Sequence, residues 1–213
     1  MTQLPKRMFI AGTDTDVGKT LVAAMLVAGL DGYYWKPVQS GMEEGTDTGW
    51  IREKTGLPAD RFFPEAYRFK AVLSPHTAAA REDVIIDLSA IHMPELDTGF
   101  PLVMEGAGGL MVPLSEKSLM IDLILKLGAP VILVARSTLG TINHTLLSLE
   151  KLKAVGVQIA GVVMNGPKNE ANREAIEHYG KVRVLAEVEP MRKINADTLK
   201  DAFEKCFASF AEG

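Results

Sequence analysis

The chain has 213 residues, 47% hydrophobic and 23% charged, a composition that fits one globular domain with a core of its own. The 23 Lys and Arg against 27 Asp and Glu leave a net charge of −4, without the basic stripe that a nucleic-acid binder presents. A single cysteine, Cys206, excludes a disulfide within the chain and a multi-cysteine zinc site, and no apolar run approaches the ~18 residues of a membrane span.

Lys6 and Arg7 precede only Met8 to Ala11 before Gly12, too short a run for a signal-peptide core. The expectation is a cytoplasmic protein with neither nucleic acid nor membrane as partner. Residues 7–11 read as a buried strand ended by Gly12, and 19–29 as a helix with Leu21, Met25 and Leu26 on one side. Residues 33–38 read as a second strand and 101–105 as a third, stopped by Gly106. Residues 130–135 make a fourth, followed by a helix carrying Ile142, Leu146, Leu149 and Leu152. Residues 157–164 and 182–188 complete six strands. Val84-Ile85-Ile86, within the poorly patterned stretch 81–99, reads as a short strand or part of a lid. Near-continuous apolar strands alternating with helices predict an α/β fold: one domain over 1–213, a mostly parallel sheet covered on both faces, and the Gly-Lys-Thr loop Gly12 to Thr20 between strand one and its helix makes it of the P-loop NTPase type.

In such a sheet ligands bind beyond the carboxyl ends of the strands. The unusual polar residues fall there: Gly12 to Thr20 after strand one, Lys36, Gln39 and Ser40 around the end of strand two, Glu105 at strand three, Arg136 to Asn143 after strand four, and Asn165 after strand five.

Gly12-Thr-Asp-Thr-Asp-Val-Gly-Lys-Thr20 is a Walker A loop in kind. Its glycines permit a tight turn that aims backbone N–H groups at phosphate oxygens; Lys19 supplies charge to the β and γ phosphates and Thr20 a hydroxyl to Mg²⁺. Five residues rather than four separate Gly12 from Gly18. Asp14 and Asp16 read as favourable charge near a helix N-terminus, or as groups that reach a metal shell or a substrate amine. Glu105, buried by its strand, wants a cation, and Mg²⁺ takes one or two carboxylates. Asp47 reads as a helix N-cap, a metal ligand, or both. Lys36 reads as a solvated flank, or as a second ammonium sharing an anion with Lys19. Gly106-Ala107-Gly108-Gly109 reads as a flexible loop near phosphate, because no helix start follows it as a dinucleotide fingerprint demands. His76, His92, His144 and His178 lack metal-ligand spacing, and His76 reads as a turn residue. Asn143 reads as a helix N-cap whose neighbouring N–H groups could receive a carboxylate. Cys206 shares an apolar stripe with Leu199, Phe203 and Phe210 and reads as core.

Together the 12–20 loop, Lys36-Pro-Val-Gln-Ser-Gly41, Ser74-Pro-His76, Glu105-Gly-Ala-Gly-Gly109 and Gly140-Thr-Ile-Asn-His144 resemble the dethiobiotin synthetases, from about Met8 to Pro190, and the widened loop is typical of that family. The segment 81–99 and the tail after Pro190 match nothing in it. The resemblance implies an ATP- and Mg²⁺-dependent cyclo-ligase of biotin synthesis that joins CO₂ to 7,8-diaminopelargonic acid. Gly12, Thr13, Asp16, Val17, Gly18, Lys19, Thr20 and Leu21 would hold ATP together with Asp47, Glu105, Gly106, Ala107 and Gly108. Thr20, Asp47 and Glu105 would ligand the metal, and Lys36 and Lys19 would be catalytic. Asn165 and Gly166 would read adenine, with Val188, Glu189 and Pro190 near base or ribose. Thr13, Lys36 and Ser40 would contact the diamine, and Gly140, Thr141, Ile142 and Asn143 its carboxylate, beside a second subunit of a homodimer. The alternative from another class is a switch ATPase of the partitioning or septum-positioning kind. Such loops carry a lysine near their start, where this chain has Thr13, and no basic amphipathic helix ends this chain.

Overall fold

The structure, a computed structural model, describes residues 3–96 and 99–211. Among these the chain forms β1 (Arg7–Gly12), α1 (Lys19–Leu30), β2 (Tyr33–Trp35), β3 (Val38–Ser40), α2 (Asp47–Thr55), β4 (Phe62–Phe63), β5 (Tyr67–Phe69), α3 (Pro75–Arg81), β6 (Leu102–Gly109), α4 (Met120–Leu127), β7 (Val131–Arg136), α5 (Thr141–Ala154), β8 (Ile159–Asn165), α6 (Glu170–Gly180), β9 (Val184–Val188) and α7 (Ala196–Ala211). The main sheet runs β4-β2-β6-β1-β7-β8-β9 with every pairing parallel, and β3 and β5 form a separate parallel pair.

Both faces of the main sheet are covered, and strand alternation divides the core in two. Met8, Ile10, Tyr34 and Val103 pack with α1, Ile51 of α2 and Leu199, Phe203 and Phe207 of α7. Phe9, Ala11, Trp35 and Met104 pack with Ala78 and Ala79 of α3, with α4, with Leu149 and Leu152 of α5, and with Ile176 of α6. Strands buried on both sides are apolar at successive positions, which is why they stood out in the sequence. Chain order reverses around β1: α1 leads away to β2 on one side, whereas α4 carries the chain from β6 across β1 to β7. Such a switch point leaves a crevice at the carboxyl ends of β1 and β6.

Several expectations are corrected. The predicted strand 33–38 is two strands in two sheets: Pro37 lacks the N–H that a ladder needs, and β3 departs to pair with β5. Glu105 does not end its strand, because β6 continues through the glycine run to pair Gly109 with Gly12. That run is strand rather than free loop; a side chain at Gly106 would press to 2.9 Å from the Phe9 ring. Val84-Ile85-Ile86 is not a strand: only Ile86 enters the core, Ile85 is 82% exposed, and among the described residues no strand pairs with it. Asp97 and Thr98 of the 81–99 stretch lie outside the described residues.

Candidate functional site

The loop after β1 returns over its own strand to enter α1. Thr13 N–H donates to Val134 O of β7 at 3.0 Å, pinning the loop's base. Gly18, the residue before α1, has φ +95°, and a Cβ there would lie 2.1 Å from Asn165 Nδ2, so only glycine fits. The N–H groups of the first turn of α1 have no partner inside the helix, and Gly18 before it has no side chain to cap them. Lys19 Nζ donates to Asp14 O at 2.9 Å across the loop.

Opposite Lys19 the acids converge. Thr20 Oγ1 lies 2.8 Å from Asp47 Oδ1 and 2.9 Å from Glu105 Oε1. Lys36 Nζ lies 2.7 Å from Asp47 Oδ2 and 3.3 Å from Glu105 Oε1. Four different elements deliver these groups. α1 brings Thr20, the turn after β2 brings Lys36, α2 brings Asp47, and β6 brings Glu105. Lys36 is no solvated flank: it is 4% exposed and Glu105 1%. Burial works against the Lys36 ammonium, yet Glu105 and Asp47 outweigh it and hold its pKa above the ordinary value. Burial likewise opposes the Asp47 carboxylate, but Lys36 and the Thr20 hydroxyl draw it below its usual range. Lys19 is different. Burial lowers its pKa, Glu105 opposes that, and Lys36 adds a like charge. An anion between the two ammonium groups would relieve both costs.

Asp47 is not the N-cap of α2. Thr46 is, accepting from Gly49 N–H at 3.0 Å, while Gln39 Oε1 accepts from Asp47 N–H at 3.2 Å. Asp47 therefore starts the helix with its carboxylate free to face the cleft. Asn143 is not a cap either: Gly140 precedes α5, and Asn143 is the third residue of that helix.

These groups line one cleft of about 810 Å³, together with Thr15, Asp16, Gly18, Gln39, Ser40, Ala107, Gly108 and the turn from Val72 to Pro75. Ser40 Oγ is, among the described residues, a buried side-chain oxygen without a hydrogen-bond partner. Gly12, Thr13, Val17, Leu21 and Gly106 support the loop and its strand without lining the cleft. Asn165 stands behind the loop, donating to Val17 O at 3.1 Å, and Gly166 N–H donates to Val188 O beside Glu189 and Pro190. Gly140, Thr141, Ile142 and Asn143 lie outside the cleft. They reach the loop through Arg136, whose carbonyl accepts from Thr141 and whose guanidinium pairs with Asp14 at 2.6 Å. His76 lies at the exposed start of α3 and does not line the cleft, although its neighbours Ser74 and Pro75 do.

One group of the site escaped the sequence reading. Tyr34 Oη donates to Glu105 Oε2 at 2.9 Å in full burial. Burial and the Glu105 carboxylate hold this phenol well above its ordinary pKa, so it remains a donor. Its spacing two residues before Lys36 was the available signal, since strand residues i and i+2 share a face.

Residues 6–198 match the family described as an AAA domain. The ATP-dependent dethiobiotin synthetase BioD of Paramagnetospirillum magneticum is 54% identical over 192 residues, spanning 90% of this chain and 92% of that protein. The protein of the same description from Nitrobacter hamburgensis is 45% identical, spanning 95% and 94%. This chain belongs to the dethiobiotin synthetase family. Membership makes it an ATP-dependent enzyme of the ligase kind and sets aside the switch-ATPase alternative. That alternative has the same architecture: the septum site-determining protein MinD from Pyrococcus horikoshii, complexed with Mg-ADP, aligns over 98% of this chain and 94% of its own at TM-score 0.52. At 16% identity the likeness carries the P-loop fold alone.

Proposed function

We propose that the chain is a dethiobiotin synthetase in full: it carboxylates 7,8-diaminopelargonic acid with CO₂ and closes the ureido ring, giving dethiobiotin, ADP and phosphate. The observation that carries this is the meeting of Lys19, Thr20, Lys36, Asp47 and Glu105 in one cleft whose wall also holds the unpaired Ser40 hydroxyl. ATP would lie with its triphosphate on the 12–20 loop at the start of α1, where free N–H groups and the helix dipole favour anions.

Thr20, Asp47 and Glu105 fit Mg²⁺. They bring a hydroxyl and two carboxylates, hard oxygen donors with each carboxylate already within hydrogen-bond distance of the Thr20 hydroxyl, and phosphates and water would supply the rest of such a shell. When bound, the ion neutralises charge on the phosphoryl oxygens. One amine of the diamine attacks CO₂ to form a carbamate, whose oxygen takes the γ-phosphoryl group. The second amine then attacks the carbamoyl carbon, phosphate leaves, and the ring closes, with the amine protons passing to substrate or solvent. The protein's part is to position and to neutralise. Lys19 would hold the phosphates, Lys36 would face the carbamate and the transferred group, and Ser40 would hold the diamine.

Asn165 and Gly166 would contact adenine, with Val188, Glu189 and Pro190 near base or ribose. The start of α5, Gly140 to Asn143, would take the substrate carboxylate of a partner subunit in a homodimer. Leu139, 98% exposed beside it, suits an interface. A cytoplasmic setting fits a chain whose described helices are none of them long and apolar enough to cross a membrane. The test mixes protein, Mg-ATP, labelled bicarbonate and the diamine. Acid-stable label that requires the diamine supports the proposal; ATP hydrolysis indifferent to the diamine overturns it.

A further inference from the structure

We infer that Tyr34 is a positioning residue for Glu105: its hydroxyl engages Oε2, so that Oε1 alone faces Thr20, Lys36 and the cation. The inference rests on the proposed role of Glu105 in holding Mg²⁺ and extends it to a residue outside the cleft.

Three observations carry it. The register of the parallel pair sets Tyr34 against Val103 and Trp35 against Met104, so Lys36 continues the line opposite Glu105. Alternation then places Tyr34, Lys36, Val103 and Glu105 on the face of the sheet covered by α1 and α2, the helices that bring Thr20 and Asp47. Second, Tyr34 is fully buried, its ring set among apolar residues and tilted against Phe62 at 6.2 Å between centroids. Phenylalanine would fill that space as well. A hydroxyl in a core is costly unless it is bonded, and this one is bonded to Glu105. Third, the two oxygens of Glu105 are divided in their partners. Oε2 receives Tyr34, whereas Oε1 receives Thr20 and Lys36. A carboxylate anchored through one oxygen presents the other in a single orientation, as partners behind a metal ligand commonly arrange.

Mn²⁺ binding in the presence of a non-hydrolysable ATP analogue, counted by electron paramagnetic resonance, tests this without turnover. Tyr34→Phe is expected to weaken Mn²⁺ binding about tenfold while leaving metal-free nucleotide affinity within about twofold. Glu105→Gln is expected to weaken Mn²⁺ at least as much, and adding Tyr34→Phe to it should cost nothing further. Phe62→Leu perturbs the packing of the same ring and should lower Tm while leaving Mn²⁺ affinity intact. Wild-type Mn²⁺ affinity in Tyr34→Phe beside a weakened Glu105→Gln overturns the role of Tyr34 alone. So does an equal loss in both backgrounds, or an equal loss in Phe62→Leu. If Glu105→Gln itself binds Mn²⁺ as wild type does, the cation role of Glu105 falls, and this inference with it.

Discussion

Lys36 concentrates the chemistry of the site in one side chain. A buried ammonium flanked by two carboxylates stays charged, and in the proposed reaction it would face the negative charge that grows on the transferred phosphoryl group. Lys36→Gln is expected to cut kcat by about a hundredfold or more, the scale of losing one preorganised charge donor, with a much smaller change in ATP affinity. Steady-state kinetics beside equilibrium nucleotide binding separates the two; turnover near wild type sinks the assignment. The same ion pair has a pH signature. Asp47 is held below its ordinary 3.8, so its stabilising share is complete above that value and is lost as pH falls through the folded-state pKa. Lys36 is raised above 10.5, so its share is complete at neutral pH and is lost only as pH climbs through its own folded-state value. As pH falls below about 4 the stability of metal-free protein should therefore decline, and in Lys36→Gln that decline should be shallower. Urea denaturation across this range measures both, and parallel acid limbs would refute the pairing.

At the scale of elements, close approaches fix which helices hold the loop. In α1, Gly29 faces the ring of Phe203 in α7 so closely that a Cβ would fall 2.0 Å from Cγ. Gly29→Ala, although favourable to an isolated helix, is expected to destabilise the protein by about 1–3 kcal/mol through overpacking. Tm reports it, while kcat of the folded fraction should hold because Gly29 lies at the far end of α1 from Thr20. Gly18→Ala should do the converse. It sets a left-handed residue and a contact with Asn165 against the loop, so nucleotide affinity should collapse with a modest change in Tm. Unaltered binding by isothermal titration would contradict the loop's role. Strands such as β1 and β7 were legible because double-sided burial writes an unbroken apolar run. β4 and β5 were not, since two or three residues carry no period. The glycines of β6 hid a strand because they have no side chain to show alternation.

At the scale of the molecule, the cleft and the proposed carboxylate site lie on different stretches of the surface, joined through Arg136 and Asp14. A second subunit would bring its α5 to this cleft. Leu147, exposed on the face of α5 that also carries Asn143, should lie in that contact. Leu147→Asp is expected to shift sedimentation from dimer to monomer and to raise KM for the diamine; a wild-type chain sedimenting as a monomer would dispose of the shared site. The sequence by itself determined the parallel sheet, the phosphate loop and the identity of the groups around it, because burial and backbone geometry restrict residue types locally. Only the tertiary structure decided that Thr20, Lys36, Asp47 and Glu105, separated by up to 85 positions, meet within hydrogen-bond distance, and that Tyr34 stands behind one of them. Such contacts are set by strand order and register, which couple residues across the sheet and leave no period along the chain.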